Sequence, residues 1–498
     1  MARVVVVGGG NAGLCAALSA RAEGAEVLLL DRGPADGSGS DSYFTGGLFR
    51  VAYDGLDQLE AIVGPLGMDP STGIDAFAKY SEADFLEDWG RVTGYRCDAE
   101  LAETVVGTSY DAITWLSGHK VPFLSGLVVD SAGRVRHTRP GWHGGFVEVS
   151  GAGPGLMAAL LKAADNAGIR REHGVGVRSI ERSAEGFRLV SRYAHGETVF
   201  HDADAVILAS GGFQADPEWR TRALGPGWDL ARVRASRYNT GRGIRIAQDL
   251  GAALYGNWSG CHAVAWSVGS RDAGDPKANH IFERESYPFG ITVNVHGERF
   301  IDEASDFGAY TYARYGREVL RQDEQRAWQL FDAQCEEQLM DEYRTKNPEA
   351  ARTRADTLEE LAAKLAARGV DRDHLLRTVA EYNAAVDESV DFNPYVKDGR
   401  GTKGLRFDKS NWSRKLERGP FEAYEVTCGI TFTFGGVRIG TDASVLDEDG
   451  RPIPGLFACG EMVGGLYYFN YASGTGLTSG AVLGRLAGRR AAEVVAHA

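Results

Sequence analysis

Cysteine is scarce in this sequence, and its few cysteines are scattered. Six occur among 498 residues, at positions 15, 97, 261, 335, 428 and 459. No two of them form a CxxC pair, and none has the spacing of a zinc ligand set. This pattern indicates free thiols in a reducing compartment, and we expect no metal site.

Long apolar runs are missing as well. No stretch approaches the roughly 18 apolar residues that a membrane span requires. The apolar run at residues 4–7 is too short for a signal peptide, and no cleavage site follows it. We therefore expect no membrane span and a cytoplasmic location.

Positive charge is in deficit. The formal net charge is −14, from 54 Lys and Arg against 68 Asp and Glu, and no cluster of Lys or Arg offsets it locally. A polyanionic partner such as nucleic acid is therefore not expected. The length exceeds what one hydrophobic core usually serves, so two domains are expected.

The N-terminal residues follow the pattern of a βαβ nucleotide-binding unit. A β-branched run at 4–7 leads into the glycine motif GGGNAG at 8–13, a helix-like segment at 14–22 and a strand at 26–30 that ends at Asp31. The glycines let the backbone approach a pyrophosphate, and the acid is placed to accept from a ribose hydroxyl. Either NAD or FAD fits this unit.

Further along the chain, helical and extended patterns alternate. A change of character after about residue 258 indicates a nucleotide-binding domain made from both ends of the chain, 1–257 and 421–498, interrupted by an inserted domain at 258–420. Short strands are expected within 174–208 and again from 425. The predicted helices are 74–90, 100–118, 156–167, 240–250, 316–340, 355–368, 373–388 and 481–495.

The C-terminal segment favours FAD over NAD. A strand at 456–459 ends in Gly460-Glu461, and the last helix follows a second glycine-rich turn at 474–480. In FAD proteins such a strand brings an acid to the ribityl chain. The N-terminus of such a helix points at the flavin edge, where it stabilises negative charge on the reduced ring.

A series of short motifs adds a family resemblance. Besides 8–13 and Gly460-Glu461, the motifs lie at 39–47, 209–213, 297–303 and 433–436. In this order they resemble the fumarate reductase/succinate dehydrogenase flavoprotein family. Within that family the segments 306–312, 429–434 and 474–477 look most like the tricarballylate dehydrogenase branch.

The resemblance implies an α/β fold with a split, Rossmann-type FAD-binding domain of the glutathione reductase kind and an inserted α+β capping domain. It also implies hydride exchange between flavin N5 and a substrate carbon, with a protein group handling the proton. The loop at 39–47 contains no histidine, so FAD is expected to be non-covalent. The implied cofactor-binding residues are Gly8, Gly10, Asn11, Ala12, Gly13, Asp31, Arg32, Ser40, Asp41, Ser42, Thr45, Gly46, Gly47, Val177, Ala209, Ser210, Gly211, Gly460, Glu461, Gly474, Gly476 and Leu477.

The sequence departs from the family at the substrate site. His262 matches one of two histidines that hold a dicarboxylate in fumarate reductases, but Thr431-Phe432 stands at the second histidine and Tyr471 at a late arginine. Phe307 and Gly308 occupy the positions of the proton-donating arginine. A buried substrate carboxylate without its cation is costly, so tricarballylate or fumarate itself is not the expected substrate.

Aromatic and hydroxyl side chains occupy these places instead. The related 3-ketosteroid dehydrogenases also carry tyrosine where Tyr471 stands, and there tyrosine hydroxyls polarise a ketone and take the proton. We therefore expect Tyr310 or Tyr312 to handle the substrate proton, with Tyr471 and His262 hydrogen-bonded to the activating carbonyl or carboxylate. A tyrosine of ordinary pKa, about 10, needs a neighbouring cation such as His262 or Arg314 to act as a base.

Three functions are consistent with these residues. The first is desaturation of a carbon pair α,β to a carboxylate or ketone, the second is the reverse reduction of an enoate, and the third is a flavin-binding protein without catalysis. With one dinucleotide unit committed to FAD, we expect no direct use of NAD(P)H. The expected partners are a small-molecule substrate and an electron acceptor: oxygen, a quinone, or an iron–sulfur or haem protein.

Overall fold

The computed structural model describes residues 3–66, 79–129, 135–183, 186–270, 274–276, 280–344 and 351–496, and the fold is mixed α/β. Within these residues no helix is long and apolar enough to cross a membrane. The helices are α1 (Asn11–Ala22), α2 (Leu56–Val63), α3 (Glu82–Thr93), α4 (Ala99–Gly107), α5 (Ser109–Gly118), α6 (Ala152–Asn166), α7 (Pro217–Leu224), α8 (Arg242–Asp249), α9 (Gly308–Leu320), α10 (Asp341–Arg344), α11 (Leu358–Ala366), α12 (Arg372–Ala385) and α13 (Thr475–Ala496).

The strands belong to two six-stranded sheets and several small ones. They are β1 (Arg3–Val7), β2 (Glu26–Leu30), β3 (Leu48–Arg50), β4 (Tyr53–Asp54), β5 (Lys79–Tyr80), β6 (Phe123–Ser125), β7 (Leu127–Val129), β8 (Val135–His137), β9 (Phe146–Val149), β10 (Arg170–Glu172), β11 (Val175–Ser183), β12 (Gly186–Tyr193), β13 (Thr198–Ala203), β14 (Ala205–Leu208), β15 (Arg232–Val233), β16 (Leu254–Ser267), β17 (Ile291–Asn294), β18 (Ala327–Phe331), β19 (Arg352–Ala355), β20 (Phe421–Val437), β21 (Ser444–Leu446) and β22 (Pro452–Ala458).

The first large sheet joins the two ends of the chain. Its order is β10-β2-β1-β14-β22-β21, with all neighbours parallel except β21. Its central strands are aliphatic and buried on both faces, as expected for a parallel sheet covered by helices. The helices α1 and α13 cross closely beside it, and a Cβ on Gly484 would lie 2.4 Å from the Ala12 carbonyl oxygen. Both helices therefore begin near the carboxyl ends of the same strands.

The second large sheet is built around the long strand β20. The strands β15, β16, β18 and β19 all pair with β20, and β17 extends the sheet beyond β18. This strand begins at the predicted start of the second nucleotide-binding segment, yet its partners β18 and β19, and β17 beyond β18, come from the segment at 258–420. The division of the chain into domains at 257/258 and 420/421 stays a prediction.

Most predicted helices are found within a few residues of their expected bounds, with four differences. The predicted helix at 316–340 is wrong beyond Leu320, because Ala327–Phe331 forms the buried strand β18 between β17 and β20. The helical segment at 100–118 is two helices that meet at Thr108. The final helix starts at Thr475, six residues earlier than predicted. Of the helix predicted at 74–90, residues 74–78 lie outside the described residues, whereas Lys79–Tyr80 forms the short strand β5 and α3 begins only at Glu82.

Candidate cofactor and substrate site

An elongated cavity runs from the carboxyl edge of the parallel sheet to the β16–β20 pair of the second sheet. One end is lined by the N-terminal glycine turn, the loop at 39–47 and the start of α13. The other end is lined by aromatic side chains from β16, α9, β20 and the segment before α13, and by charged side chains from other segments: Arg139, Arg234, Glu283, Glu285 and Glu342.

The glycine turn has the form that a pyrophosphate site requires. The backbone of Gly8 has φ +113°, and a Cβ on Gly13 would lie 1.9 Å from the Gly8 carbonyl oxygen, so only glycine fits. The N-cap of α1, Gly10, offers no side-chain acceptor; the Asn11 amide donates to Ser42 Oγ at 2.9 Å, and the other N–H groups of the first turn are the donors available to an anion. The turn therefore fits the phosphates of a dinucleotide.

The acid after β2 is fixed beside this turn. The Asp31 carboxylate accepts from the Gly9 and Gly33 amides, at 2.5 Å each. Next to it, the Arg32 guanidinium donates to the Tyr238 carbonyl oxygen and lies 5.3 Å from the Tyr238 ring centroid. Asp31 and Arg32 both line the cavity, in the region where the sequence predicts a contact with a ribose hydroxyl.

Two buried carboxyl groups, those of Asp41 and Glu461, meet in the wall of the cavity. Asp41 accepts from the Ser236 amide (2.6 Å) and from Asn239 Nδ2 (2.8 Å), while Glu461 accepts from the same Asn239 nitrogen (3.0 Å) and from the Thr433 amide (3.1 Å). Burial, with Glu461 close by, raises the pKa of Asp41 well above its usual range, and burial also raises the pKa of Glu461. Burial therefore favours the protonated form of both carboxyl groups.

The predicted cofactor residues lie together. Gly13 and Gly47 stand behind the cavity wall, against the Gly8 carbonyl and Ala152 respectively. Arg242 and Gly243, which sequence reasoning missed, line the cavity from the start of α8. The predicted residues that line it are Gly8, Gly10, Asn11, Ala12, Asp31, Arg32, Ser40, Asp41, Ser42, Thr45, Gly46, Val177, Ala209, Ser210, Gly211, Gly460, Glu461, Gly474, Gly476 and Leu477.

Four aromatic side chains converge at the far end of the cavity. His262 on β16 pairs with Phe432 on β20, and their rings stack at 5.1 Å between centroids. The rings of Tyr312, from α9, and Tyr471, from the segment before α13, each lie 4.9 Å from the His262 ring, edge to face. The structure thus brings together three of the predicted catalytic residues: His262 from β16, Tyr312 from α9 and Tyr471 from the segment before α13.

The protonation of these groups differs from the expectation. Burial, and secondarily Arg234, lowers the pKa of His262 well below its usual range, so this imidazole is neutral. Burial raises the pKa of both Tyr312 and Tyr471, so each keeps its hydroxyl proton at neutral pH. The cation expected to activate a tyrosine is therefore not His262.

The hydroxyl of Tyr471 is set up as a donor. It accepts from the Gly476 amide in the first turn of α13, at 3.0 Å. With its oxygen held by that N–H group, its own proton is left to point toward an acceptor in the cavity.

The remaining two catalytic candidates lie elsewhere. The two tyrosines of α9 occupy different faces of the helix, and the Tyr310 hydroxyl donates to Asp88 and accepts from Arg50 Nη1 at 3.3 Å. Arg314 donates to Ser305 Oγ at 3.0 Å. Neither Tyr310 nor Arg314 lines the cavity.

A charged group that sequence reasoning missed borders the aromatic end. Arg234 donates to Thr431 Oγ1 at 3.0 Å and forms an ion pair with Glu283. Glu285 lies beside this pair, and burial raises its pKa well above the usual range. No local signal marked Arg234, because it follows the two-residue strand β15 and reaches the cavity only through pairing with β20.

The turn, the buried acids and the start of α13 define the class of protein as a dinucleotide-dependent flavoprotein. The FAD binding domain family model matches residues 3–477. The chain belongs to this family, within the fumarate reductase/succinate dehydrogenase flavoproteins, and is an FAD-dependent oxidoreductase that acts on carbon–carbon double bonds.

Three proteins show the likeness. A solved flavocytochrome c3 fumarate reductase in its open conformation is 27% identical, with a TM-score of 0.73 over 99% of this chain and 78% of that one. The 3-ketosteroid-Δ4-(5α)-dehydrogenase of Rhodococcus jostii RHA1 is 25% identical, with a TM-score of 0.68 over 99% and 97%. The 4-oxocyclohexanecarboxylate 2-dehydrogenase of Sinomonas cyclohexanicum is 32% identical over 359 residues, covering 67% of this chain and 59% of that protein.

Proposed function

We propose that this enzyme moves hydrogen across a carbon–carbon bond α,β to a ketone or carboxylate, with the carbonyl oxygen held by Tyr471. The observation that carries the proposal is the convergence of His262, Tyr312 and Tyr471 at the end of the FAD cavity. Two of the similar proteins, by name, act on carbon pairs beside a ring ketone, which supports the same chemistry here.

The roles of the side chains follow from their protonation. Tyr471, its oxygen held by the Gly476 amide, donates to the carbonyl oxygen, which carries negative charge while hydride has been added to the β-carbon and the α-carbon is not yet protonated. Tyr312, whose hydroxyl keeps its proton at neutral pH, donates that proton to the α-carbon when the double bond is reduced. Bound FAD supplies hydride exchange with the β-carbon.

The His262 ring shapes the substrate site, and its Nδ1 offers a hydrogen-bond acceptor. Its neutral ring lies between Tyr312, Phe432 and Tyr471, and its Nδ1 has no hydrogen-bond partner among the described residues. The ring fixes both tyrosines around a flat substrate.

The finer assignment to a tricarballylate-like branch gains no support from this aromatic site. The electron acceptor, non-covalent FAD and the cytoplasmic location stay predictions.

Reoxidation of the photoreduced holoenzyme by a matched pair of alkenes tests the proposal. Cyclohex-2-enone and cyclohexene share a ring and differ in the carbonyl that Tyr471 would polarise. Under anaerobic conditions we expect cyclohex-2-enone, and enoates such as cinnamate, to restore the oxidised flavin spectrum, and cyclohexene to leave it unchanged. The proposal fails if no enone or enoate reoxidises the flavin, or if cyclohexene does so at the same rate.

A further inference from the structure

Arg234 is a buried cation in the wall of the cavity. Its side chain is 6% exposed, and two of its three nitrogens are engaged, Nη1 with Thr431 and Nη2 with Glu283. The third, Nε, is buried and has no hydrogen-bond partner among the described residues. A buried guanidinium with an unused donor is costly unless a further acceptor completes it.

The neighbours of Arg234 show that this residue lies at the aromatic end of the cavity. Thr431 precedes Phe432, whose ring stacks on His262. Glu285 Oε1 and His262 Nδ1 are likewise buried and lack partners among the described residues. All of these residues line the same cavity. Arg234, Glu285 and His262 therefore border one cavity beside the aromatic rings, and each has a buried polar atom without a partner among the described residues.

We propose that Arg234 binds a carboxylate of the substrate, and that Glu283 is the internal counter-ion that this carboxylate displaces or shares. The substrate is then a ketone or enone that carries one carboxylate. This inference rests on the proposed function, since it names the substrate class of the same site.

The number of cations limits the number of carboxylates. Arg139, which also lines this cavity, donates to Glu148 through both Nε (2.8 Å) and Nη2 (2.7 Å). Arg234 differs in having a buried Nε without a partner among the described residues, so one substrate carboxylate at Arg234 leaves the rest of the molecule to the aromatic rings. A guanidinium is well suited to this task because it presents paired donors to a carboxylate.

Benzoate and benzamide are matched probes for this site, because both are flat, neither can be desaturated by this chemistry, and they differ in charge. Their affinities for the holoenzyme are measured by isothermal titration calorimetry, which needs no turnover. We expect wild type to prefer benzoate. Arg234→Gln should weaken benzoate binding by about 30-fold or more with little change for benzamide, since a buried charge pair is lost.

Glu283→Gln should have the opposite effect. Removing the competing carboxylate frees Arg234, so benzoate should bind about tenfold more tightly, again with benzamide unchanged. The Arg234→Gln variant could fail to fold because Glu283 is left without its partner. The double variant Arg234→Gln/Glu283→Gln removes both charges of the pair, and it should also lose the preference for benzoate over benzamide. Arg326→Gln, which breaks an ion pair with Glu425 outside the cavity, is the matched control and should keep the wild-type ratio.

The outcomes separate this inference from the proposed function. Equal affinity of wild type for the two probes, no detectable benzoate binding, or a preference that survives in both Arg234 variants overturns it. If the benzoate preference behaves as expected but no enone or enoate reoxidises the flavin, the carboxylate site stands and the proposed reaction fails.

Discussion

Replacing Tyr312 with phenylalanine should slow hydrogen exchange between the substrate and bound FAD by about 100- to 10,000-fold, because the variant has no hydroxyl to carry the α-proton. Tyr471→Phe should slow it by roughly 100- to 1,000-fold, because the developing negative charge on the carbonyl oxygen loses its donor. The measurement is the rate at which cyclohex-2-enone reoxidises the reduced holoenzyme under anaerobic stopped flow.

Tyr310→Phe is the matched control for these variants. The residue lies two positions from Tyr312 on the same helix, but its hydroxyl contacts Asp88 and Arg50 outside the cavity. Its rate should stay within a few-fold of wild type. Rates within a few-fold of wild type for both Tyr312→Phe and Tyr471→Phe would show that neither hydroxyl takes part in the reaction.

A second large effect is expected from a single methyl group in the glycine turn. In Gly13→Ala the new Cβ would lie 1.9 Å from the Gly8 carbonyl oxygen, a backbone atom that cannot turn aside as a flexible side chain could. The backbone of the turn must therefore shift, at a cost of about 1–3 kcal/mol or more. FAD content should fall roughly tenfold or more, and the melting temperature should fall with it.

Gly118→Ala supplies the comparison. This glycine ends α5, and a Cβ there would meet no atom within 4 Å. Its FAD content, measured as flavin absorbance per chain, should equal that of wild type. Full FAD occupancy in Gly13→Ala would mean that the turn does not hold the cofactor as described.

The parallel sheet was predictable from the sequence because its signals are local. A β-branched run, a glycine motif and an acid after the next strand have fixed spacing, and the cofactor residues that they implied do lie around one cavity. The strand β18 was not predictable in this way. Its residues are all buried between two neighbouring strands, so they lack the polar alternation that separates a strand from a helix over a short window.

The substrate end of the cavity was predictable only in part. Family motifs pointed to His262 and Tyr471, and sequence spacing left Tyr310 and Tyr312 as alternatives, which the helical geometry of α9 separates. The Arg234–Glu283 pair joins residues 49 positions apart through side chains, with no motif at either position. Such a pair depends on how β15 docks against β20, and sequence pattern carries no signal for that contact.

A crystal structure of the holoenzyme with 4-hydroxybenzoate would test the central claim most directly, because this flat ligand mimics the enolate of a ring ketone. The account predicts that the ring lies against His262 and Phe432 and that the phenolic oxygen is within hydrogen-bond distance, about 2.5–3.0 Å, of the Tyr471 hydroxyl. A ligand bound outside these rings, or one whose phenolic oxygen points away from both Tyr471 and Tyr312, would contradict it.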